Sequence, residues 1–256
     1  MNISQITAEQ LEVFIFILLR VSAMVVTIPI IGNRVVPVRI KAGLSLMIAF
    51  LLFPFIKIHL PYLGIFSLIG GMIGEVIIGI IIGLAGRLAF AGVQIAGQLI
   101  GFQMGFAIVN VFDPITSEQV SIMAQFQYLI AILIFLAVDG HHVFLYAIAE
   151  SYRIIFPLDF HFSAELAQSI IEISKDIFII AVKIGAPIIT ALLMTSIGFG
   201  LIVRTVPQIN ILIVGFPLKI AIGLILIGLT LPLFTKIMSM VFLNFGDKLN
   251  ILLHLM

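Results

Sequence analysis

The feature that most constrains the fold is a long apolar run, from Phe66 to Ile108, that contains no proline. A helix rises about 1.5 Å per residue, so an unbroken helix over this run would exceed ~60 Å. The hydrocarbon core of a bilayer is only about 30 Å thick. The run therefore predicts either a hairpin that turns near Gly86 and Arg87, or one long helix that other subunits bury. The absence of a turn-forming cluster at the midpoint favours the long helix.

The rest of the chain is similarly apolar. It is 62% hydrophobic and 10% charged, whereas soluble domains carry about 25% charged residues. Five further apolar runs could form membrane helices, namely Leu11–Ile31, Ile40–Ile56, Met123–Ile148, Asp176–Val203 and Ile209–Phe245. We therefore predict an all-α membrane protein with about six long hydrophobic segments. Kinks are expected at the prolines inside the later segments, Pro187, Pro217 and Pro232.

Charge and composition exclude several classes of function. The formal net charge of +1 gives no bulk attraction to nucleic acid. The chain contains no Cys, so it has neither a disulfide framework nor a Cys nucleophile. No phosphate-binding loop of the G-x-x-x-x-G-K-[ST] type is present, so any ATP hydrolysis belongs to another protein.

A stripe of small and polar residues follows the long apolar run. Gly97, Gly101 and Gly105 are spaced four residues apart, so they share one helix face, where another backbone can approach closely. Packing within the chain explains any single Gly-x-x-x-Gly, but the length of the stripe indicates contacts with several helices. We therefore predict subunit packing for the following residues: Glu75, Gly79, Gly83, Arg87, Gln94, Gly97, Gln98, Gly101, Gln103, Met104 and Gly105.

Two of these residues, Glu75 and Arg87, are ionisable groups inside apolar sequence, which is a reason to suspect function. They lie about 120° apart around a helix and are not an obvious mutual pair. Glu75 could carry a proton, or it could bond a neighbouring subunit, which is the favoured interpretation. The proton-carrying interpretation leads to an alternative function, a secondary transporter for a small solute or ion. That alternative requires internal repeats with matching broken helices, and the sequence shows none.

The motif Asp139-Gly140-His141-His142 suggests a metal or acid–base site. Adjacent histidines point about 100° apart on a helix, so they should not both face one ion. No H-x-x-x-H pattern and no Cys accompanies them. A turn or a helix N-terminus, with Asp139 accepting backbone N–H groups, is the favoured interpretation. An intramembrane metalloenzyme is a third hypothesis, but we predict no catalytic residue, metal or cofactor.

Two polar interruptions between the apolar runs are candidate functional loops. In the stretch G-F-Q-M-G-F-A-I-V-N-V-F-D-P-I-T-S-E-Q at positions 101–119, turn-forming residues alternate with apolar ones. Such a segment either packs against its own helices or forms an apolar constriction, which closes a channel by dewetting. The second interruption is either a tight turn or a partner-binding loop, and it contains Arg204, Pro207, Gln208 and Asn210.

Taken together, the order and spacing of these motifs closely resemble the FliR family of the bacterial flagellar export gate. The resemblance extends from about the first helix to Phe245. The motifs that carry it are G-E-x-x-x-G at 74–79, G-Q-x-x-G-F-Q-M-G at 97–105, D-P at 113–114, L-A-V-D-G-H-H at 136–142, R-T-V-P-Q-I-N at 204–210 and G-F-P-L-K at 215–219. Injectisome T-subunits share the D-P region, but the D-G-H-H stretch resembles the flagellar branch.

The resemblance implies a non-enzymatic subunit of a helical, hetero-oligomeric channel, with its hydrophobic segments arranged as hairpins. Its partners would be FliP-like and FliQ-like subunits, an FlhB-like subunit and unfolded flagellar proteins, at the inner membrane within the flagellar basal body. The whole chain, 1–256, would be one export-gate domain, with a FliP-like part (1–150), an amphipathic connector (151–172) and a FliQ-like hairpin (173–245). A plug loop would follow the long helix and contain Phe106, Ile108, Asn110, Val111, Phe112, Asp113, Pro114 and Glu118.

Overall fold

A computed structural model describes residues 8–33, 35–56, 64–106, 121–206 and 211–256. These residues form helices and connecting turns, and no β-strand occurs among them. In chain order the helices are α1 (Ala8–Thr27), α2 (Val38–Leu52), α3 (Ile65–Met104), α4 (Ile122–Ala137), α5 (Gly140–Ile154), α6 (Ala164–Thr205), α7 (Ile211–Leu243) and α8 (Phe245–Leu255).

Several of these helices match the dimensions of a bilayer. Among the described residues, four helical stretches are long and apolar enough to cross a membrane: Gln10–Thr27, Ile65–Met104, Ala164–Thr205 and Ile213–Leu255. The bent pair α4–α5 makes a fifth if the two helices are taken as one span. The prediction of an all-α membrane protein is therefore confirmed.

The long apolar run forms one continuous helix, α3, of 40 residues. The alternative of a hairpin at Gly86 and Arg87 is therefore wrong. A hairpin would leave the backbone groups at two helix ends without partners. The sequence near Gly86 supplies no capping side chains for them, whereas a continuous helix satisfies these groups internally.

The apolar run from Met123 to Ile148 is divided, contrary to the prediction of one segment. Helices α4 and α5 meet at a bend of 66°, at Asp139, whose φ of 55° lies in the left-handed region. Aspartate is one of the few residues other than glycine that adopts this conformation. The predicted turn and helix start are confirmed, but the predicted cap is wrong, because the Asp139 side chain makes no capping hydrogen bond.

The later apolar runs form two long helices. Pro187 lies inside α6, and Pro217 and Pro232 lie inside α7, and both helices continue through these positions. Helix α6 begins at Ala164, inside the stretch 151–172 that the family resemblance implies is an amphipathic connector. There Ser163 Oγ accepts a hydrogen bond from the Leu166 amide at 3.0 Å.

The chain folds as two compact units that are each discontinuous in sequence. Unit 1 comprises residues 1–88, 139–173 and 243–256, and unit 2 comprises residues 89–138 and 174–242. In unit 2, the ring of Phe90 contacts the rings of Tyr128, Phe135 and Phe242. The domain divisions that the family resemblance implies stay predictions.

Candidate functional site

An ion pair joins α1 to α3 inside unit 1. Arg20 Nε donates to Glu75 Oε2 at 2.5 Å, and Arg20 Nη2 donates to Oε1 at 2.8 Å, so the two groups meet through two hydrogen bonds. The two side chains are 0% and 1% exposed. A buried charge is costly unless it is paired and hydrogen-bonded. This pairing therefore explains how Glu75 is accommodated in an apolar helix.

The same guanidinium also contacts α5 and the residue that follows it. Arg20 Nη1 donates to Ser151 Oγ at 2.9 Å, and Nη2 also donates to the Ile155 carbonyl at 3.3 Å. The guanidinium carbon lies 4.0 Å from the centre of the Tyr152 ring, a cation–π contact. We call Arg20, Glu75, Ser151 and Tyr152 the Arg20 cluster. Through it, α1, α3 and α5 are held in one arrangement.

Glu75 therefore pairs with a residue that the sequence analysis did not select. Arg87 is exposed, in agreement with the expectation that it does not pair with Glu75. The signal for Arg20 was available, because Arg20 is the one charged residue between Val13 and Ile31. Glu75 was selected because it is an ionisable group inside apolar sequence, and the same criterion applies to Arg20. A carboxylate held at both oxygens by an arginine gives little support to the proton-carrying transporter.

The glycines in the first part of the stripe bring α3 against α1. A Cβ atom on Gly79 would overlap the Arg20 carbonyl oxygen and lie 2.8 Å from Ala23 Cβ. One on Gly83 would lie 2.6 Å from Thr27 Cβ. Only glycine permits such an approach between helices. These two contacts are therefore within the chain.

The glycines in the second part of the stripe bring α3 against the start of α4 in unit 2. A Cβ atom on Gly97 would overlap Ala124 Cα and lie 2.9 Å from the Ala124 nitrogen. A Cβ atom on Gly101 would overlap Ser121 Oγ. The glutamines of the stripe differ from the glycines, since Gln94 and Gln98 are exposed and Gln103 is half-buried.

Helix α3 ends in a motif that turns the chain away from the helix axis. Gly105 has a φ of 94° and donates to the Phe102 carbonyl at 3.0 Å, while the Phe106 amide donates to the Gly101 carbonyl at 3.1 Å. This pair of bonds is a Schellman motif, whose left-handed position favours glycine. It ends the helix at Met104 and turns the backbone at Gly105 and Phe106.

The end of α3 is anchored in the core of unit 2. Met104 is buried in a cluster with Ile100, Met123, Ile188, Leu192 and Ile227, and Phe106 packs against that cluster. The other residues predicted for the plug lie outside the described part of the chain: Ile108, Asn110, Val111, Phe112, Asp113, Pro114 and Glu118.

The second candidate loop is described only at its beginning. Arg204 lies in the last turn of α6 and is exposed. Pro207, Gln208 and Asn210 lie outside the described residues. The predicted role of this loop in binding a partner stays a prediction.

The side chains of Asp139, His141 and His142 converge, contrary to the expectation that adjacent histidines point apart. Their possible ligand atoms all lie within 4.8 Å of one another, and the two imidazole centres are 4.2 Å apart. At the exposed first turn of α5, side-chain torsions can bring the two rings together. All three residues are exposed. Because a catalytic metal needs a shaped cavity that excludes water, these positions do not support a metalloenzyme.

Comparison with known proteins places the chain among flagellar proteins. The model of the family "Bacterial export proteins, family 1" matches residues 11–245. The chain is similar to the flagellar biosynthetic protein FliR of Bacillus subtilis (strain 168), with 36% identity over 84% of each chain. It is also similar to FliR of Pectobacterium carotovorum subsp. carotovorum, with 32% identity over 92% of this chain and 90% of the relative.

A third relative carries the same name as the first two. FliR of Escherichia coli (strain K12) is 31% identical over 90% of this chain and 89% of its own. The names describe biosynthetic and export proteins, not enzymes. The chain therefore belongs to the FliR family of bacterial export proteins and is a membrane component of the flagellar export apparatus.

Proposed function

We propose that this chain is a non-enzymatic subunit of the flagellar type III export gate in the bacterial inner membrane. It joins FliP-like and FliQ-like subunits, together with an FlhB-like subunit, to form the channel through which unfolded flagellar proteins leave the cytoplasm. Family membership supports the export role. The order of motifs, from G-E-x-x-x-G at 74–79 to G-F-P-L-K at 215–219, supports the assignment of partners.

The observation that carries this proposal is a polar, exposed face on a helix of membrane length. Gln94 and Gln98 are exposed one turn apart on α3, and Phe102, one turn further, is 68% exposed. An amide side chain that faces lipid has hydrogen-bonding groups without partners, which is costly. A partner helix or a water-filled path would satisfy both amides. The face of α3 that carries these three residues is therefore our candidate contact with another subunit.

This candidate contact differs from the glycine face of the same helix. The backbone of α4 already occupies the space beside Gly97, and the side chains of Ser121 and Met123 occupy the space beside Gly101, so little room is left there for another chain. Helix α7 offers a further surface, because only 17% of its most apolar window is buried. Such exposure fits a chain whose helices are covered by lipid or by neighbouring subunits.

The function is tested by co-expressing the chain with the FliP-like and FliQ-like chains and measuring the native mass of the complex in mild detergent. We expect a hetero-oligomer of defined mass. We expect the Gln94→Leu/Gln98→Leu variant to lower its yield about tenfold, because interhelical hydrogen bonds in membranes contribute about 0.6–1.7 kcal/mol each.

The matched control is Gln125→Leu, which changes an exposed glutamine on α4. It should leave the yield unchanged. A folded monomer that purifies without the other chains would contradict the proposal and favour the small-solute transporter. Equal yields from the double variant and the control would contradict the proposal that the face with Gln94 and Gln98 contacts another subunit.

We further propose that residues 106–119 form a plug that seals the idle channel. A loop can move at a smaller cost than a helix, because fewer backbone hydrogen bonds hold it. The side chains of Ile108, Val111 and Phe112 would form a dry constriction, and Asn110 and Pro114 would keep the segment from continuing as a helix. The anchored end of α3, at Met104 and Phe106, supports this role because it gives the loop a fixed base.

Replacing residues 107–119 by a glycine and serine segment of equal length tests the plug. We expect the complex to assemble, because the Schellman motif and Phe106 are retained. We also expect the membrane to become several times more permeable to small ions, because flexible polar residues cannot form a dry seal. Ion flux into vesicles that contain the native or the altered complex measures this, and unchanged flux at equal complex content would contradict the plug.

A further inference from the structure

Gln127 in unit 2 is buried, and one of its atoms has no hydrogen-bond partner among the described residues, as is also true of Ser121 Oγ. Gln127 lies in α4 and is 4% exposed. Its Oε1 atom accepts no hydrogen bond from the described part of the chain. Buried polar atoms in folded proteins are almost always paired with protein or with ordered water. The Gln127 oxygen therefore indicates a polar ligand at this position.

A cavity of about 20 Å³ adjoins this side chain. A single water molecule requires at least ~10–15 Å³ of such space, so the cavity accommodates one water molecule. Helices α4, α6 and α7 form its walls. Apart from Gln127 and Thr230 the walls are apolar, and they include Ile130, Ile184, Ile188, Ile227 and Phe234.

The second polar group of the cavity, Thr230, suits the same ligand. Its hydroxyl donates to the Leu226 carbonyl at 2.8 Å, so the hydroxyl oxygen keeps lone pairs that can accept. Gln127 and Thr230 both line the cavity, and each carries an oxygen that can accept a hydrogen bond. Water can donate to both at once. A divalent cation would need about six or more oxygen ligands, which these walls do not provide.

We propose that one water molecule binds in this cavity and donates one hydrogen bond to Gln127 Oε1 and one to Thr230 Oγ1. The water connects α4 to α7, and Ile184 and Ile188 of α6 also line the cavity. It satisfies a polar group that would otherwise be unpaired inside a group of membrane helices. This inference concerns the packing of unit 2 and does not depend on the proposed export function.

A double-mutant cycle on the full chain in detergent tests the water bridge. Gln127→Met and Thr230→Val each remove one acceptor. Because the water needs both acceptors, either substitution releases it, and the second substitution then has little further effect. We expect the double variant to lower the Tm by about as much as the more harmful single variant, since groups in one network couple. Fully additive shifts would overturn the proposal.

The controls use exposed counterparts on the same two helices. Gln125 is exposed on α4, and Thr235 is exposed on α7 and donates to the Leu231 carbonyl at 3.0 Å. Gln125→Met and Thr235→Val should cause small, additive shifts in Tm. If the two control substitutions depart from additivity as strongly as Gln127→Met and Thr230→Val do, the coupling is not specific to the cavity, and the proposal is contradicted.

A high-resolution structure of the unmodified chain or complex decides the matter even if a variant fails to fold. We expect density for one water about 2.7–3.0 Å from Gln127 Oε1 and from Thr230 Oγ1. A direct hydrogen bond from a protein group to Gln127 Oε1, with no density in the cavity, would overturn the proposal.

Discussion

Glu75→Ala leaves the Arg20 guanidinium charged and unpaired inside unit 1, and we expect the free energy of unfolding to fall by about 3–5 kcal/mol. The loss is large because both side chains are fully buried and their two hydrogen bonds have no replacement. Denaturant unfolding in detergent measures the change, and the amount of folded protein in cells should fall with it.

The exposed pair of Arg153 and Glu150 provides the matched control. Arg153 Nη1 lies 3.2 Å from Glu150 Oε2, and the Arg153 side chain is 78% exposed. Exposed pairs contribute only about 0–1 kcal/mol, so Glu150→Ala should have a small effect. Equal losses of stability from Glu75→Ala and Glu150→Ala would show that burial of the Arg20–Glu75 pair does not increase its contribution to stability.

Removing both charges separates structural and functional roles of the pair. We expect Arg20→Met/Glu75→Leu to regain most of the stability, because replacing a buried ion pair by apolar residues is often neutral or stabilising. We also expect this variant to restore flagellar export, measured as swimming in cells that lack the native chain. A stable, abundant double variant that does not support swimming would contradict a purely structural Arg20 cluster and would return Glu75 to the candidates for proton transfer.

Gly97→Ala should separate α3 from α4 and destabilise unit 2 by about 1–3 kcal/mol or more. The added Cβ would overlap Ala124 Cα and lie 3.0 Å from the Met123 carbonyl oxygen. These are backbone atoms, which cannot rotate away as a side-chain end can, so the helices themselves must move. The free energy of unfolding in detergent is the measurement.

Gly198→Ala is the control for this substitution, because a Cβ atom at Gly198 in α6 meets no described atom within 4 Å. Alanine favours a helix over glycine by about 0.5–1 kcal/mol, so this variant should be slightly more stable than the native chain. If Gly97→Ala is also neutral or stabilising, the close approach of α3 and α4 is not needed. A loss of complex from Gly97→Ala without a loss of stability would instead place the glycine at a contact between subunits.

Sequence reasoning was most accurate where the physical cause is local. The absence of proline between Phe66 and Ile108, and of a turn-forming cluster at the midpoint, is readable directly, and it favours the continuous α3. The bend at Asp139 was recognised as a turn, since Asp-Gly is a turn signal. Its consequence, the division of the apolar run from Met123 to Ile148, was missed, because both halves have the same apolar composition.

The candidate site depended more on contacts that are distant in sequence. Ser151 and Tyr152 continue the periodic buried face of α5 that Phe144 begins, but periodicity does not name Arg20 as their partner. They contact Arg20 because α5 packs beside α1. Of the predicted plug residues, Phe106 alone is described, and it packs on the core of unit 2. The roles of the others are inferred from composition and family resemblance.

By itself, the sequence determined that this chain is an all-α membrane protein of the FliR family, because hydrophobic length and motif order are properties of the linear chain. Only the tertiary structure decided that Glu75 pairs with Arg20, 55 residues away, and that Gly97 faces α4. The reason is physical. Periodicity shows which residues share a helix face, but the partner of that face is set by how distant helices pack, and many packings satisfy the same pattern.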